Sequence, residues 1–362
     1  MHVLFAVIPD ASGQAEGFGG RFEWDVPLLE GYSWGVLPQL RASPRLGSFA
    51  GLWSGSVGQA LAALSPDAVL LTGWNALPLV QGLRASIQLG LPTVVRGDSN
   101  SLMLRPAWKE AGHRLLLSCF DAFVAVGRSN REFYERNGVR PERIVDGGHF
   151  VDEEHFRALR AREAPRRFEL RRRWGIPENA FCPLFAGKLQ PKKRPLDFVT
   201  ALATVAGRLP AGRIHGLVVG SGELEAEVRR TAETGAVPVT FAGFLNQSEI
   251  GGAYAAADVL VLPSDWGETW GLVVNEAMLF GLPAIVSDRV GCGPDLVSDG
   301  QTGFIVPFAR PDVLAERLHE LARDDAARRR LGEKAYARVL GYSPRRGARA
   351  TIAAAAIAIG GG

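Results

Sequence analysis

Short apolar runs recur along the chain, each followed by a longer stretch of mixed polarity. In the first half they are Asp67-Ala68-Val69-Leu70-Leu71, Pro92-Thr93-Val94-Val95 and Asp121-Ala122-Phe123-Val124-Ala125-Val126. In the second half they are Cys182–Ala186, Gly216–Val219, Val239–Phe241, Asp258–Leu262 and Pro283–Val286. These runs do not alternate between apolar and polar, so both faces of each strand are buried, as in a parallel sheet covered by helices. The stretches between them leave room for crossover helices. The pattern predicts an α/β chain with doubly wound parallel sheets, and it runs twice.

At about 150 residues per domain, 362 residues suggest two domains. The expected division is an N-terminal Rossmann-like domain over 1–165, a C-terminal one over 166–342, and a terminal helix over 343–362. The break falls near 155–180, where an Arg-rich helix (Arg171-Arg172-Arg173) ends at Gly175 and Pro177. Its arginines read as a solvated helix face, with an anionic membrane surface as the alternative. No aromatic platform accompanies them, which argues against nucleic acid. Met1–Ile8 reads as a strand. Residues 9–50 are rich in Gly, Pro and aromatics and read as a long structured loop. Ala354–Ile359 suits a final helix.

Composition narrows the class. Lys+Arg 41 minus Asp+Glu 38 gives +3, which suggests neither a polyanion-wrapping nor a strongly acidic protein. Cys119, Cys182 and Cys292 lie far apart, which excludes a disulfide scaffold and a Cys-rich zinc site and fits a reducing, cytoplasmic setting. No apolar run reaches the ~18–20 residues of a membrane span. The first residues lack the basic region of a signal peptide. Only five of the basic residues are lysines, and three of these are Lys188, Lys192 and Lys193.

Those lysines belong to Gly187-Lys188-Leu189-Gln190-Pro191-Lys192-Lys193, between a strand and a helix. Compact ammonium groups suit phosphate oxygens. On this reading Lys188 and Lys193 grip a diphosphate and Lys192 faces solvent. A second strand exit reads Pro263-Ser264-Asp265-Trp266-Gly267-Glu268-Thr269-Trp270-Gly271, and a helix then opens. A helix N-terminus at a strand's carboxyl end offers N–H groups to an anion, and Gly271 lets the backbone approach it. Glu276, inward-facing in that helix, suits the vicinal diol of a ribose. Gly220-Ser221-Gly222 either cradles part of a nucleotide or is a tight turn. Gly243-Phe244 is a further exit that could line a base pocket. His149, in Gly147-Gly148-His149, is either structural or faces a cleft. Trp266 and Trp270 flank Glu268 and are either sugar-stacking or core residues.

The stretch 181–308 resembles the retaining glycosyltransferases of family 4, which have the GT-B fold. The resemblance is carried by Gly187-Lys188-Leu189 with Lys193, Gly220-Ser221-Gly222, Gly243-Phe244, Glu268 and Glu276 with seven residues between them, Gly281-Leu282-Pro283 and Gly300-Gln301-Thr302-Gly303-Phe304. It implies two Rossmann-like domains facing a central cleft, with the sugar nucleotide held by the second. Lys188 and Lys193 would stabilise the departing diphosphate, Glu276 would hold the ribose, and Glu268 would address the transferred sugar. Gly271, Leu272 and Val273 would supply main-chain contacts, and the last helix would cross back to the N-terminal domain.

Gly17-Phe18-Gly19, Trp24-Asp25-Val26-Pro27 and Arg96-Gly97-Asp98 resemble one subgroup more loosely. Asp98 stands about where many members have a histidine, and is a candidate polar contact to the reacting sugar or acceptor. The βα unit with which members usually begin is expected to be missing ahead of the strand at 2–8.

The reading is thus a glycosyltransferase acting with retention on a nucleotide-sugar donor and a sugar, lipid-linked or small-molecule acceptor. No cofactor is implied, since the nucleotide-sugar is a substrate. Lysines and a helix terminus can neutralise the leaving group without a metal, and the chain has no Asp-x-Asp motif. The alternatives are a sugar-nucleotide or glycan-binding protein without turnover, and an epimerase or phosphorylase of similar architecture.

Overall fold

The computed structural model describes residues 1–14 and 22–361. The chain forms two compact units. One contains Met1–Gln14, Pro27–Gly148 and the helical segment from Arg345. The other contains residues 22–26 and His149–Pro344. The change therefore falls at 148/149, not 165/166. The reason is the helix Glu153–Glu163, which buries Phe156 and Leu159 and packs on helices Ile250–Ala256 and Leu272–Leu279 of the second unit. Gly17-Phe18-Gly19 lies outside the described residues.

In the first unit β3 (Val69–Leu71), β4 (Thr93–Val95), β5 (Ala122–Ala125) and β6 (Ile144–Asp146) form a parallel sheet in that order. The first strand, β1 (His2–Phe5), does not join this sheet. It pairs in parallel with β2 (Ser33–Val36), a strand inside the segment expected to be loop. The C-terminal helix Pro344–Gly360 lays Ala350, Ala354 and Ala358 against Val94, Ala122 and Val124. Spaced four apart, these small residues share one face and let the helix lie close to the sheet. Gly147 serves the same close approach: a Cβ there would meet Val124 Cγ1 at 2.6 Å.

The second unit is built on six parallel strands: β7 (Pro183–Ala186), β8 (Gly216–Val219), β9 (Val239–Gly243), β10 (Val259–Leu262), β11 (Ala284–Ser287) and β12 (Gly303–Val306). Their order across the sheet is β12-β11-β10-β7-β8-β9. β7, β8, β10 and β11 are buried along their whole length, as their unbroken apolar runs require. Both units are α/β layers built on parallel sheets, and the second has the strand order of a dinucleotide-binding fold.

The Arg-rich stretch belongs inside this unit. In the helix Arg167–Arg173, Arg171 is buried and does not form a solvated face. Its guanidinium donates to Asp258 Oδ2 at 2.8 Å and to the carbonyls of Ala256, Glu178 and Ala180. Arg167 binds the other oxygen of Asp258 at 2.7 Å and the carbonyls of Ala255 and Ala257. These two arginines tie the helix to the start of β10 and are unavailable to an outside surface. Asp258→Ala leaves Arg171 buried without its counter-charge, an arrangement that costs about 3–5 kcal/mol. Urea unfolding should show a loss of that order, and a loss below about 1 kcal/mol would contradict the assigned role.

Candidate functional site

From β7 the chain winds outward through β8 to β9, and from β10 it winds the other way through β11 to β12. β7 and β10 are hydrogen-bonded neighbours, so the direction of winding reverses between them. At such a point the two following segments part, and a crevice opens over the carboxyl ends of the strands.

The exits of β7 and β8 lie back to back. Gly187 N–H donates to the Val219 carbonyl at 3.0 Å, and Leu189 N–H to the Ser221 carbonyl at 2.8 Å. A Cβ on Gly220 would stand 2.1 Å from the Gly187 carbonyl oxygen, and one on Gly222 would stand 2.7 Å from that of Leu189. Both have left-handed backbones, with φ of 118° and 154°. Gly220 and Gly222 are therefore required by the approach of two loops, whatever a ligand adds. Lys193 then folds back: its Nζ lies 3.8 Å from where a Cβ of Gly187 would be.

Across the crevice, the exit of β10 carries buried Ser264 and half-buried Glu268. Lys193 Nζ donates to Glu268 Oε2, so the exits of β7 and β10 are joined by an ion pair. Ser264 Oγ is 3.3 Å from the same carboxylate oxygen. Gly271, with φ of 100°, caps the helix Leu272–Leu279. A Cβ on Gly271 would lie 2.7 Å from Leu262 Cδ2, so a side chain there would press the helix start off the strand. The N–H groups of its first turn, at Leu272 and Val273, lack acceptors within the helix.

Glu276, on this helix, accepts a hydrogen bond of 2.5 Å from the hydroxyl of buried Tyr254. Burial raises its pKa above the ordinary carboxylate value. The Tyr254 hydroxyl and the positive fields of His155 and Lys193 oppose that rise. Burial also raises the Tyr254 phenol, and the Glu276 charge adds to this. Lys193 is thus bonded to one glutamate and felt by the other.

The remaining candidates divide. Lys188 is half-buried beside fully buried Leu189, on the same exit as Lys193, while Lys192 is exposed. Gly243, with φ of 73°, ends β9, and Phe244 stacks on Phe22 with ring centres 4.1 Å apart. Trp270 is a core residue. It is 3% exposed, its indole N–H donates to Asn275 Oδ1 at 2.8 Å, and its ring packs near Tyr342 and His149. Asn275 in turn donates to the His149 carbonyl at 3.1 Å. Asp98 is exposed in the first unit, close enough to Arg96 for their charges to interact. Sequence reasoning missed Tyr254 and Ser264. Ser264 could have been found from its place at the end of β10, whereas Tyr254 sits in an Ala- and Gly-rich helix with no sign of the contact it makes.

Among the described residues, no group of three or more His, Cys, Asp or Glu is placed to hold a metal ion, and no helix is long and apolar enough to cross a membrane.

Comparison with known proteins agrees with this class. Residues 166–338 match the family described as glycosyl transferases group 1. The GDP-mannose-dependent alpha-mannosyltransferase of Mycobacterium tuberculosis (strain CDC 1551 / Oshkosh) is 32% identical over 288 residues, covering 75% of this chain and 70% of that protein. The D-inositol 3-phosphate glycosyltransferase of Streptomyces bingchenggensis (strain BCW-1) is 32% identical over 278 residues, covering 73% of this chain; the chain spans 59% of that relative's length. Among solved structures, Anabaena HepE in complex with UDP superposes with a TM-score of 0.69 at 19% identity, covering 90% of this chain and 86% of that one. A glycosyltransferase from Rickettsia africae gives 0.68 at 17% identity, covering 84% and 79%. The chain belongs to the group 1 glycosyltransferases, and its fold is that of their GT-B members.

The raised pKa of Glu276 makes a prediction about stability. A buried carboxyl holds its proton more tightly folded than unfolded, so its ionisation opposes folding once pH exceeds the ordinary value of about 4.5. Glu276→Gln should therefore raise Tm at pH 8. The gain should shrink to nothing as pH falls below that value, where both states are protonated. A difference independent of pH would contradict the burial argument.

Proposed function

We propose that this chain transfers a sugar from a nucleotide-sugar donor to an acceptor hydroxyl, with retention at the anomeric carbon and without a metal. The observation that carries the reading is the meeting of Lys193, Glu268 and Glu276 at the reversal point of the second unit's sheet. When the glycosidic bond to the donor breaks, negative charge collects on the departing diphosphate. Preorganised positive groups are the principal means of stabilising it. Lys193 is such a group, held over Gly187 by Glu268. The first-turn N–H groups at Leu272 and Val273 add the positive end of a helix. Lys188, on the same strand exit, supplies a second ammonium.

Glu276 can accept both hydroxyls of the nucleotide's ribose while Tyr254 fixes the carboxylate. Glu268 has two oxygens: one is bonded to Lys193, leaving the other to orient a hydroxyl of the transferred sugar. Phe244 and Gly243, at the exit of β9, flank the base. One relative is described as GDP-mannose-dependent and one solved neighbour was in complex with UDP, so guanosine and uridine nucleotides are the ones to test. Removing the carboxylate in Glu276→Ala costs two charge-assisted hydrogen bonds and should weaken UDP or GDP binding about 10- to 100-fold by calorimetry. Lys193→Ala should lower turnover of the cognate sugar nucleotide about 100-fold or more. Unchanged nucleotide affinity in the first variant, or a near-normal rate in the second, would overturn the assignment. Binding without turnover of any UDP- or GDP-sugar across an acceptor panel would support a binding protein instead.

A further inference from the structure

Beside the proposed donor site stands an arginine that the transfer reaction, as described, does not use. Arg289 follows β11, and its guanidinium carbon lies 3.6 Å from the centre of the Trp266 ring and 3.7 Å from that of Phe308. Trp266 follows β10 and Phe308 follows β12, so three adjacent strand exits build this sandwich. The guanidinium carbon is thus in contact with two aromatic rings at once. The Arg289 side-chain N–H groups donate to no acceptor among the described residues. The acidic residues next in sequence to Trp266 and Arg289 are engaged with the main chain: Asp265 accepts from Gly267 N–H at 2.6 Å, and Asp288 from Phe308 N–H at 3.0 Å. A second cation is close, since the Lys192 stem packs 3.1 Å from where a Cβ of Gly267 would stand, next to Trp266.

An arginine held in this way has already lost the side-chain freedom that binding would otherwise remove, and it presents a planar fork matched to carboxylate and phosphate. Its place is fixed relative to Glu268, because Gly291 N–H donates to the Glu268 carbonyl at 3.0 Å. The loop is tightly seated: a Cβ on Gly291 would lie 1.7 Å from the Thr269 carbonyl oxygen. Along the carboxyl edge of the sheet the groups run Phe308, Arg289, Trp266 with Glu268, Lys193, Gly220, Phe244. If Phe244 to Lys193 holds the nucleotide and Glu268 the sugar, Arg289 lies on the far side of the sugar from the diphosphate.

We propose that Arg289, clamped between Trp266 and Phe308, binds an oxyanion carried by the substrate on the side of the reacting sugar remote from the nucleotide. The chemistry is that of a phosphate or carboxylate, borne either by the acceptor or by the transferred sugar. The proposal rests on the donor reading above for its placement, but not for its anion chemistry.

Calorimetry separates the two. UDP and GDP affinities report the donor site, and Arg289→Gln should leave them within about twofold. In the acceptor arm, glucose 6-phosphate is compared with glucose, with and without UDP. In the donor arm, UDP-glucuronate is compared with UDP-glucose. The wild type should prefer the charged member of at least one pair by tenfold or more. Arg289→Gln should abolish that preference, and Arg289→Lys, which keeps the charge but loses the fork, should keep only part of it. Lack of preference in the wild type for either charged probe, or a preference that survives Arg289→Gln, overturns the proposal. Failure of UDP and GDP to bind overturns the donor reading alone, since the comparison of glucose 6-phosphate with glucose without nucleotide still decides the anion site.

Discussion

The site depends on a topological constraint. A parallel sheet that winds one way from β7 and the other way from β10 cannot cover the carboxyl ends of those two neighbours with a continuous connection. The loops that leave them must part, and the side chains at their roots face a common hollow. Lys193 from one root and Glu268 from the other meet there as an ion pair. The glycines of the neighbouring exits follow from the same geometry: Gly220 must let the Gly187 carbonyl pass at a distance no Cβ permits, and only then does Lys193 lie back over Gly187.

Electrostatics within the hollow is poised, not saturated. Lys193 is neutralised by Glu268 and still lowers the proton affinity of Glu276. A diphosphate entering the crevice would compete with Glu268 for the same ammonium. The lysine therefore stays oriented when no ligand is present. Tyr254 plays the matching part for Glu276, fixing one carboxylate oxygen and leaving the other. The burial that raises the Glu276 pKa opposes its ionisation at neutral pH.

Much of this was legible in the sequence. Eight apolar runs mark β3, β4, β5 and β7 to β11 because strands buried on both faces leave no polar positions. β6 and β12 were missed for a physical reason: Ile144-Val145-Asp146 is too short to stand out, and Gly303-Phe304-Ile305-Val306 follows a turn whose glycines dominate the pattern. Arg171 misled because charge density reads as solvent exposure, whereas its partner Asp258 lies 87 positions away. The unit boundary misled for the same reason, since helix Glu153–Glu163 is held by packing against distant helices. That Lys193, Glu268 and Glu276 would come together was legible because each lies at or just past a strand exit. Tyr254 and the clamp on Arg289 were not, since both are contacts between elements that no local spacing records.

The most direct measurement of the central claim is a crystal structure of the protein grown with UDP or GDP. The account predicts a diphosphate within hydrogen-bonding distance of Lys193 Nζ and the Leu272 and Val273 N–H groups, and ribose hydroxyls on Glu276. A nucleotide bound elsewhere, or one whose diphosphate makes no contact with Lys193 and whose ribose makes none with Glu276, would contradict it.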